Sequence, residues 1–450
     1  MHYVSFCLAS ALFFVFNAEW FLLDSASAFY NESSFLFWFS GSCSFGIDGI
    51  SSPFIYLTLL LVPLCILYNW HYSTHVRSEY SFLLFCSGIS LVLFFMASNI
   101  LLFFFLFECL LFPFFLMFGL RASRTRKFHA SFLLFFYTLF GSLALLTGII
   151  YLYSRTGTLD LFLLTCVLEH LDTEYFLCGL FLMSFFAKIP IIPLHNWLPE
   201  AHVEAPTELS VLLAGVILKI GAYGFLRILL PIFPYSFYYL SPLLLVVVVF
   251  SVLYASLTAI CQSDIKKIIA YSSIAHMNIS IIGLCAGSIV SMCGSIFLMF
   301  SHGIVSAGLF FLIGMLYERY GTKIVKYYTG LSYTMPIFST IFFLFILGNI
   351  GFPLTCGFVG EMLILLGLPT SANILFICTI ALSIFISSIY NVWMYNKMFF
   401  GVPSVSFVND ITYRELAIIF PITLHLIIYG LFPNIVIEHI YSTVLSYYVF

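Results

Sequence analysis

The amino-acid sequence predicts an all-α protein that crosses a membrane many times. Of its 450 residues, 62% are hydrophobic and 8% are charged, whereas soluble domains carry about 25% charged residues. The mean hydropathy is +1.12, and the apolar runs are long and continuous. A membrane β-barrel would instead alternate polar and apolar residues over segments of about 10 residues.

Thirteen stretches are apolar enough to be spans, since a span needs about 20 such residues. Their limits are 3–23, 53–71, 80–98, 99–120, 128–153, 174–193, 206–230, 239–261, 265–287, 289–317, 335–366, 372–400 and 413–432. The stretch 31–52 is too polar and too short for a span. The N-terminus lacks a signal peptide and an Arg-rich transit peptide. We therefore expect a retained first helix and synthesis in the compartment where the protein works.

The positively charged residues fall mainly on one side of this arrangement. Twelve of the 16 Lys and Arg residues lie in loops that share a side: Arg77, Arg121, Arg124, Arg126, Lys127, Lys266, Lys267, Arg319, Lys323, Lys326, Lys397 and Arg414. Arg155 and Arg227 are assigned to the other side. The positive-inside rule then predicts an inside N-terminus and an outside C-terminus. Asp264, Lys266 and Lys267 are expected at a helix start on the surface.

Two spans contain helix breaks at corresponding positions. Proline interrupts AKIPIIPLHNW in span 174–193 and GNIGFPLTCGFVGEM in span 335–366. Glu108 precedes Pro190 by 82 residues, and His276 precedes Pro353 by 77. Paired breaks of this kind indicate two inverted repeats, although proline is also common in ordinary membrane helices. We expect N-terminal helices in 1–78, repeats in 79–230 and 231–400, and a C-terminal helix and tail in 401–450.

Six ionisable residues are predicted at mid-membrane depth. An ionised side chain there costs about 2.5–3.5 kcal/mol on insertion scales, so such residues are usually functional. They are Glu108, Lys188, Lys219, His276, His302 and Glu361. Burial favours a neutral lysine, whereas a nearby carboxylate favours a charged one. Lys188 facing Glu108 could therefore load and release a proton.

Purely structural explanations of these residues compete with the functional interpretation. Glu108 and Lys188 could form a static ion pair, or the lysine could extend to the surface. The two histidines could be ordinary core residues rather than a proton relay. Five outer residues could either feed protons in or cap helix ends, namely His195, Glu200, His202, Glu204 and Glu208. No P-loop, dinucleotide-binding or HExxH motif is present, and the 12 cysteines contain no CxxC pair.

Five segments, in chain order, resemble the antiporter-like membrane subunits of respiratory complex I. They are FFLFECLLFPFFLM, AKIPIIPLHNWLPEAHVEAPTELSVLLAGVILKIGAYGF, DIKKIIAYSSIAHM, SHGIVSAGLFFL and GFPLTCGFVGEM. The resemblance extends roughly from Asp48 to Lys397. Glu361 stands where sister subunits usually carry lysine. Family members usually have fourteen spans, so the N-terminal region is one short, and Glu208 and Leu209 replace expected small residues.

The resemblance implies that the six ionisable residues form a chain that translocates protons, coupled to quinone reduction elsewhere in the complex. Glu108 and Lys188 would be its paired carboxylate and broken-helix lysine, Lys219 the central lysine, His276 and His302 the connecting histidines, and Glu361 the terminal residue. No cofactor is expected in this chain; NADH, FMN, iron–sulfur clusters and ubiquinone would belong to partner subunits.

The same resemblance implies a location and partners. The chain is expected in the mitochondrial inner membrane, organelle-encoded, with its N-terminus on the matrix side. Its partners would be other complex I subunits and a lipid such as cardiolipin, without nucleic acid. The alternatives are a subunit of a multisubunit Na+/H+ antiporter and a structural subunit that has lost pumping.

Overall fold

The computed structural model describes residues 2–22, 30–37, 41–71, 74–121, 126–167, 173–368, 374–403 and 409–449. These residues are almost entirely helical, which confirms the predicted fold class. Arg124, the last residue of the first predicted span and the start of span 372–400 lie outside the described residues.

The described residues in the first half of the chain form twelve α-helices and one hairpin. Their bounds are α1 His2–Leu22, β1 Tyr30–Phe37, β2 Gly41–Ile47, α2 Ser52–Tyr68, α3 Thr74–Met96, α4 Ile100–Cys109, α5 Leu111–Arg121, α6 Lys127–Thr156, α7 Leu161–Val167, α8 Glu174–Lys188, α9 Trp197–Glu204, α10 Thr207–Leu212, α11 Leu218–Gly224 and α12 Leu230–Ile232. Two π-helical segments, Leu213–Ile217 and Phe225–Leu229, flank α11.

The second half is helical throughout its described residues, with short connections. Its helices are α13 Pro234–Ile260, α14 Ile265–Cys285, α15 Ile289–Tyr320, α16 Leu331–Thr334, α17 Pro336–Ile350, α18 Cys356–Gly367, α19 Ile374–Phe399, α20 Tyr413–Leu431 and α21 Asn434–Val449. Helix α21 follows the last predicted span and was not predicted as a separate helix.

Nine helices within the described residues are long and apolar enough to cross a membrane. Four shorter apolar helices accompany them, Val4–Phe16, Ser52–Tyr68, Pro336–Ile350 and Cys356–Gly367. The chain is therefore a multi-pass membrane protein, and the number of thirteen spans stays a prediction.

The chain folds as two compact units. The first comprises Met1–Trp197, Val216–Val246 and Glu438–Phe450, and the second comprises Leu198–Gly215 and Val247–Ile437.

Within the first unit, β1 and β2 form an antiparallel hairpin with Tyr30 opposite Ile47 and Phe37 opposite Gly41. The hairpin lies in the polar stretch that was excluded as a span, and its strands were not predicted. Helix α11 packs closely on the end of α8. A Cβ atom at Gly221 would lie 2.7 Å from the Ile189 side chain, so glycine here permits the close approach of the two helices.

Helix α15 is the centre of the second unit. It is buried along its whole apolar span, and it packs against α14, α18 and α20. Glycines allow α18 to approach its backbone closely. A Cβ atom at Gly360 would lie 2.8 Å from Leu298 Cα, a backbone atom that cannot rotate away.

Both predicted helix breaks are confirmed. Helix α8 ends at Lys188 and α9 begins at Trp197. Helix α17 ends at Ile350, and α18 begins at Cys356. Gly351 has a φ of +76° and caps α17, a conformation that glycine adopts without steric cost.

The close contact of α15 with α18 predicts the effect of Gly360→Ala. The added methyl group meets the α15 backbone, so overpacking should destabilise the protein by about 1–3 kcal/mol. Thermal unfolding of the purified protein measures this effect. Gly179→Ala is the control because a Cβ atom there meets nothing within 4 Å. Equal stability of the two variants would contradict the proposed packing.

Candidate site of buried ionisable residues

Lys188 lies at the first helix break and is 2% exposed. Its ammonium nitrogen lies 4.1 Å from the centre of the Phe107 ring, a cation–π contact that is worth about 2 kcal/mol when desolvated. Glu108 interacts with Lys188 electrostatically, and the carboxylate Oε1 has no hydrogen-bond partner among the described residues. The Phe107 ring is therefore the direct contact of the Lys188 ammonium, and its pairing with Glu108 stays a prediction.

The break itself explains why a lysine is tolerated at this position. Lys188 is the last residue of α8, where the helix dipole favours a positive charge. Ile189 is extended, and Pro190 follows without a backbone N–H to continue the helix. The indole Nε1 of Trp197 donates a hydrogen bond of 3.0 Å to the Ala187 carbonyl, so a side chain across the break satisfies this carbonyl.

Lys219 is completely buried in α11. The two π-helical segments stand before and after its short helix. Such widened turns interrupt the regular backbone ladder and are frequent at functional sites. The two π-helical segments could not be predicted, because residues 206–230 have the sequence pattern of one continuous apolar helix.

His276, His302 and Glu361 come together in the second unit, as predicted. His276 Nδ1 lies 3.2 Å from Glu361 Oε1, with both side chains buried. The His276 and His302 ring centres are 5.8 Å apart. All three residues line one small cavity that has room for about one water molecule. This arrangement can hold a proton shared between a carboxylate and an imidazole.

The second break positions Glu361. A Cβ atom at Gly351 would lie 3.1 Å from the Glu361 carboxyl carbon. Any larger residue would therefore displace the carboxylate from the break. Gly357 similarly lets α18 start against the Gly348 carbonyl. The glycines of GFPLTCGFVG thus make room for the acid as well as for the turn.

Of the outer residues of the broken segment, His195 belongs to the first unit, whereas the segment from Glu200 to Ala205 lies in a polar cluster with three lysines in the second unit. Lys267 pairs with Glu200 at 2.7 Å, and Lys266 donates to the Ala205 carbonyl at 2.9 Å. Lys323 donates to the Val203 carbonyl. The lysines therefore bind carbonyls at the C-terminal end of α9, where cations are favoured. Both roles considered for the outer residues remain open.

Lys266 corrects one expectation. It was expected at the surface, but it is 2% exposed because it reaches inward to the end of α9. Arg227, near the end of predicted span 206–230, is buried within a π-helical segment, and the side of the membrane to which it was assigned stays a prediction. A long cation that is hydrogen-bonded to protein groups can be accommodated inside.

Arg227 forms a buried ion pair with Asp48 in the first unit. Asp48 Oδ1 accepts a hydrogen bond of 2.9 Å from the Ser51 N–H, and this turn precedes α2. The pair was missed because 179 residues separate its partners and neither lies in a motif. Asp48 stood in a polar stretch, and that was the available signal.

The described residues contain no group of three or more His, Cys, Asp or Glu side chains that could hold a metal ion. His202, although fully buried, stacks on Phe310 with ring centres 4.6 Å apart.

Comparison with known proteins defines the class first. The family described as NADH:quinone oxidoreductase/Mrp antiporter, TM, matches residues 97–387. A chain of respiratory complex I from Thermus thermophilus with bound NADH superposes with a TM-score of 0.91 and 27% identity, over 99% of this chain and 94% of that one. A chain of the Mrp complex from Dietzia sp. has a TM-score of 0.89 at 19% identity, over 99% and 92%, and shares the fold.

A more specific likeness comes from curated sequences. NADH-ubiquinone oxidoreductase chain 4 of Marchantia polymorpha is 42% identical over 402 residues, which cover 89% of this chain and 81% of the relative. The chain belongs to the NADH-ubiquinone oxidoreductase chain 4 family. The resemblance seen in the sequence is thereby confirmed.

The buried ion pair predicts the effect of Asp48→Asn. Removing the charge that faces Arg227 should destabilise the protein by about 3–5 kcal/mol, since breaking a buried pair is strongly unfavourable. The double variant Asp48→Leu with Arg227→Met should recover most of this loss. Thermal unfolding of the purified protein measures both. A single variant as stable as the parent, or a double variant no better than the single one, would contradict the assignment.

Proposed function

We propose that the chain is a proton-translocating membrane-arm subunit of a respiratory NADH:ubiquinone oxidoreductase, coupled to quinone reduction elsewhere in the complex. The observation that carries the proposal is the presence of a buried ionisable residue at each helix break, Lys188 at the first and Glu361 at the second. Membership of the chain 4 family supplies the reaction, because its relatives are NADH-ubiquinone oxidoreductase subunits.

In the first unit, the proposed stations are Glu108, Lys188 and Lys219. Burial favours the neutral form of a lysine, and a facing carboxylate favours the charged form. A change in the separation of Glu108 from Lys188 would therefore load or release a proton. Proline breaks within membrane proteins are tolerated where the freed backbone groups line a wet cavity, so water can reach Lys188 at the end of α8.

In the second unit, the proposed stations are His276, His302 and Glu361. The distance of 3.2 Å between His276 Nδ1 and Glu361 Oε1 lies within hydrogen-bond reach, the geometry that proton transfer requires. One water molecule in the adjoining cavity could connect the pair to His302. Imidazole suits such a relay because it exchanges protons near neutral pH.

We also propose that 79–230 and 231–400 are inverted repeats, preceded by N-terminal helices in 1–78 and followed by 401–450. The two helix breaks support this division. The redox cofactors, namely NADH, FMN, iron–sulfur clusters and ubiquinone, would reside on partner subunits of complex I. We place the chain in the mitochondrial inner membrane, organelle-encoded, with a matrix-side N-terminus and cardiolipin among its lipid contacts.

The alternative is a subunit of a multisubunit Na+/H+ antiporter, favoured by the shared fold of the Mrp complex chain. The two functions differ in their assemblies. Co-purification of the chain with flavin and iron–sulfur subunits supports the dehydrogenase. Purification in a cation antiporter assembly free of redox centres would support the alternative.

The proposed lysine stations predict the effects of Lys188→Ala and Lys219→Ala. Each should lower proton pumping and coupled NADH oxidation to a tenth or less, equivalent to about 1.4 kcal/mol or more, because a proton-carrying group is lost. The measurements are the rates of proton pumping and of NADH oxidation by the assembled complex in sealed vesicles.

Lys326→Ala is the matched control because Lys326 is exposed in a connection outside the candidate spans. It should pump normally. Rates of pumping and NADH oxidation equal to those of the parent in both the Lys188 and Lys219 variants would remove the roles proposed for these lysines.

A further inference from the structure

A second polar cluster adjoins the cavity of His276, His302 and Glu361. Asn349, the penultimate residue of α17, lines this cavity and is 3% exposed. Its side-chain nitrogen Nδ2 donates to Asn391 Oδ1 at 3.1 Å and to Ser272 Oγ at 3.4 Å. These bonds connect α17 to α19 and α14.

The hydrogen bonds that Asn391 and Ser272 donate within their own helices determine the direction of their bonds to Asn349. Asn391 Nδ2 donates to the Ser387 carbonyl at 2.9 Å, so Asn391 must present its carbonyl oxygen to Asn349. Ser272 donates its hydroxyl hydrogen to the Ile269 carbonyl at 2.8 Å, so it accepts from Asn349. Both amide hydrogens of Asn349 are thereby engaged, and its carbonyl oxygen Oδ1 is the atom left for the cavity.

A hydrogen-bond acceptor at the position of Asn349 Oδ1 favours one protonation state of a neighbouring carboxyl group over the other. Oδ1 carries no hydrogen, so it can accept a hydrogen bond from a water, a carboxylic acid or an imidazole N–H, but it repels a carboxylate and so favours the protonated form of Glu361. Hydrogen bonding to one protonation state favours that state. His276 Nε2, on the same cavity wall, has no hydrogen-bond partner among the described residues. A water between the walls would thus find a polar group on each side.

We propose that Asn349 is a positioning residue whose side-chain carbonyl, oriented by Asn391 and Ser272, stabilises the proton-loaded state of the Glu361–His276 site. This inference rests on the proposed proton-translocating function and adds a neutral residue to its machinery. The amide sets how readily the site loads, while the ionisable groups carry the proton.

The ionisable groups on the helices packed around Asn349 are identified. Helix α14 contributes His276, α15 His302 and α18 Glu361, all on the cavity wall. Helix α19 contributes the buried Tyr390. Helix α20, which meets α17 where Leu426 faces Gly348, carries Tyr429 and also His425, whose Nδ1 bonds the Pro421 carbonyl.

Two substitutions of Asn349 should move the pH dependence of pumping in opposite directions. Asn349→Leu removes the acceptor, so loading becomes harder and the profile should shift to lower pH by about one unit, equivalent to about 1.4 kcal/mol. Asn349→Asp is nearly isosteric and adds a carboxylate that favours a neighbouring proton, so the profile should shift to higher pH. The measurement is proton pumping by the assembled complex in vesicles between about pH 5.5 and 9.

Two further variants on α19 separate the orienting bond from helix packing. Asn391→Leu frees the Asn349 amide to rotate its N–H groups toward the cavity, which should give a smaller shift to lower pH. Ser383→Ala removes a buried hydroxyl that bonds within its own helix, and it should leave the profile unchanged.

An unshifted profile in both Asn349 variants, or a shift of both in the same direction, would overturn the inference. If the complex with Asn349→Leu does not assemble, an unshifted profile of Asn349→Asp is by itself enough to overturn the inference. Proton pumping by the Lys188→Ala variant in the same vesicles shows whether the inference about Asn349 has failed or the proposed function has failed. Normal pumping in that variant removes the role proposed for Lys188 in proton translocation, whereas lost pumping with unshifted Asn349 variants removes only the role of Asn349.

Discussion

A helix that stops inside an apolar layer exposes backbone groups that must still be hydrogen-bonded, and the site depends on how two such ends are satisfied. At the first, Trp197 bonds the Ala187 carbonyl across the break. At the second, the backbone N–H groups of Gly351 and Phe352 both donate hydrogen bonds to the Leu347 carbonyl. Because these ends are satisfied, an ionisable side chain can be accommodated at each of them, Lys188 at the first and Glu361 at the second.

The two units stabilise their buried groups by different means. In the first, Lys188 contacts the Phe107 ring and interacts electrostatically with Glu108. In the second, a carboxylate and an imidazole are in direct contact. A looser pair can change its separation, whereas a close pair can share one proton. The difference suits a loading step in one unit and a holding step in the other.

The breaks and the burial of Lys188 and Glu361 could be predicted because proline, glycine and a charge in an apolar run are local signals. The pairing of Asp48 with Arg227 could not, since it joins distant segments through tertiary packing. The π-helical turns around Lys219 and the inward reach of Lys266 likewise arise from neighbouring helices. Asn349 was visible in GNIGFPL, but its role depends on bonds to α14 and α19, which no local pattern specifies.

The most direct test of the account is a structure of the assembled complex, at rest and during turnover, at a resolution that shows ordered water. We expect water at the first helix break beside Lys188 and in the cavity of His276, His302 and Glu361. We also expect the distance from Glu108 to Lys188 to differ between the two states. Dry surroundings at both sites, with the same distance at rest and during turnover, would contradict proton translocation through these residues.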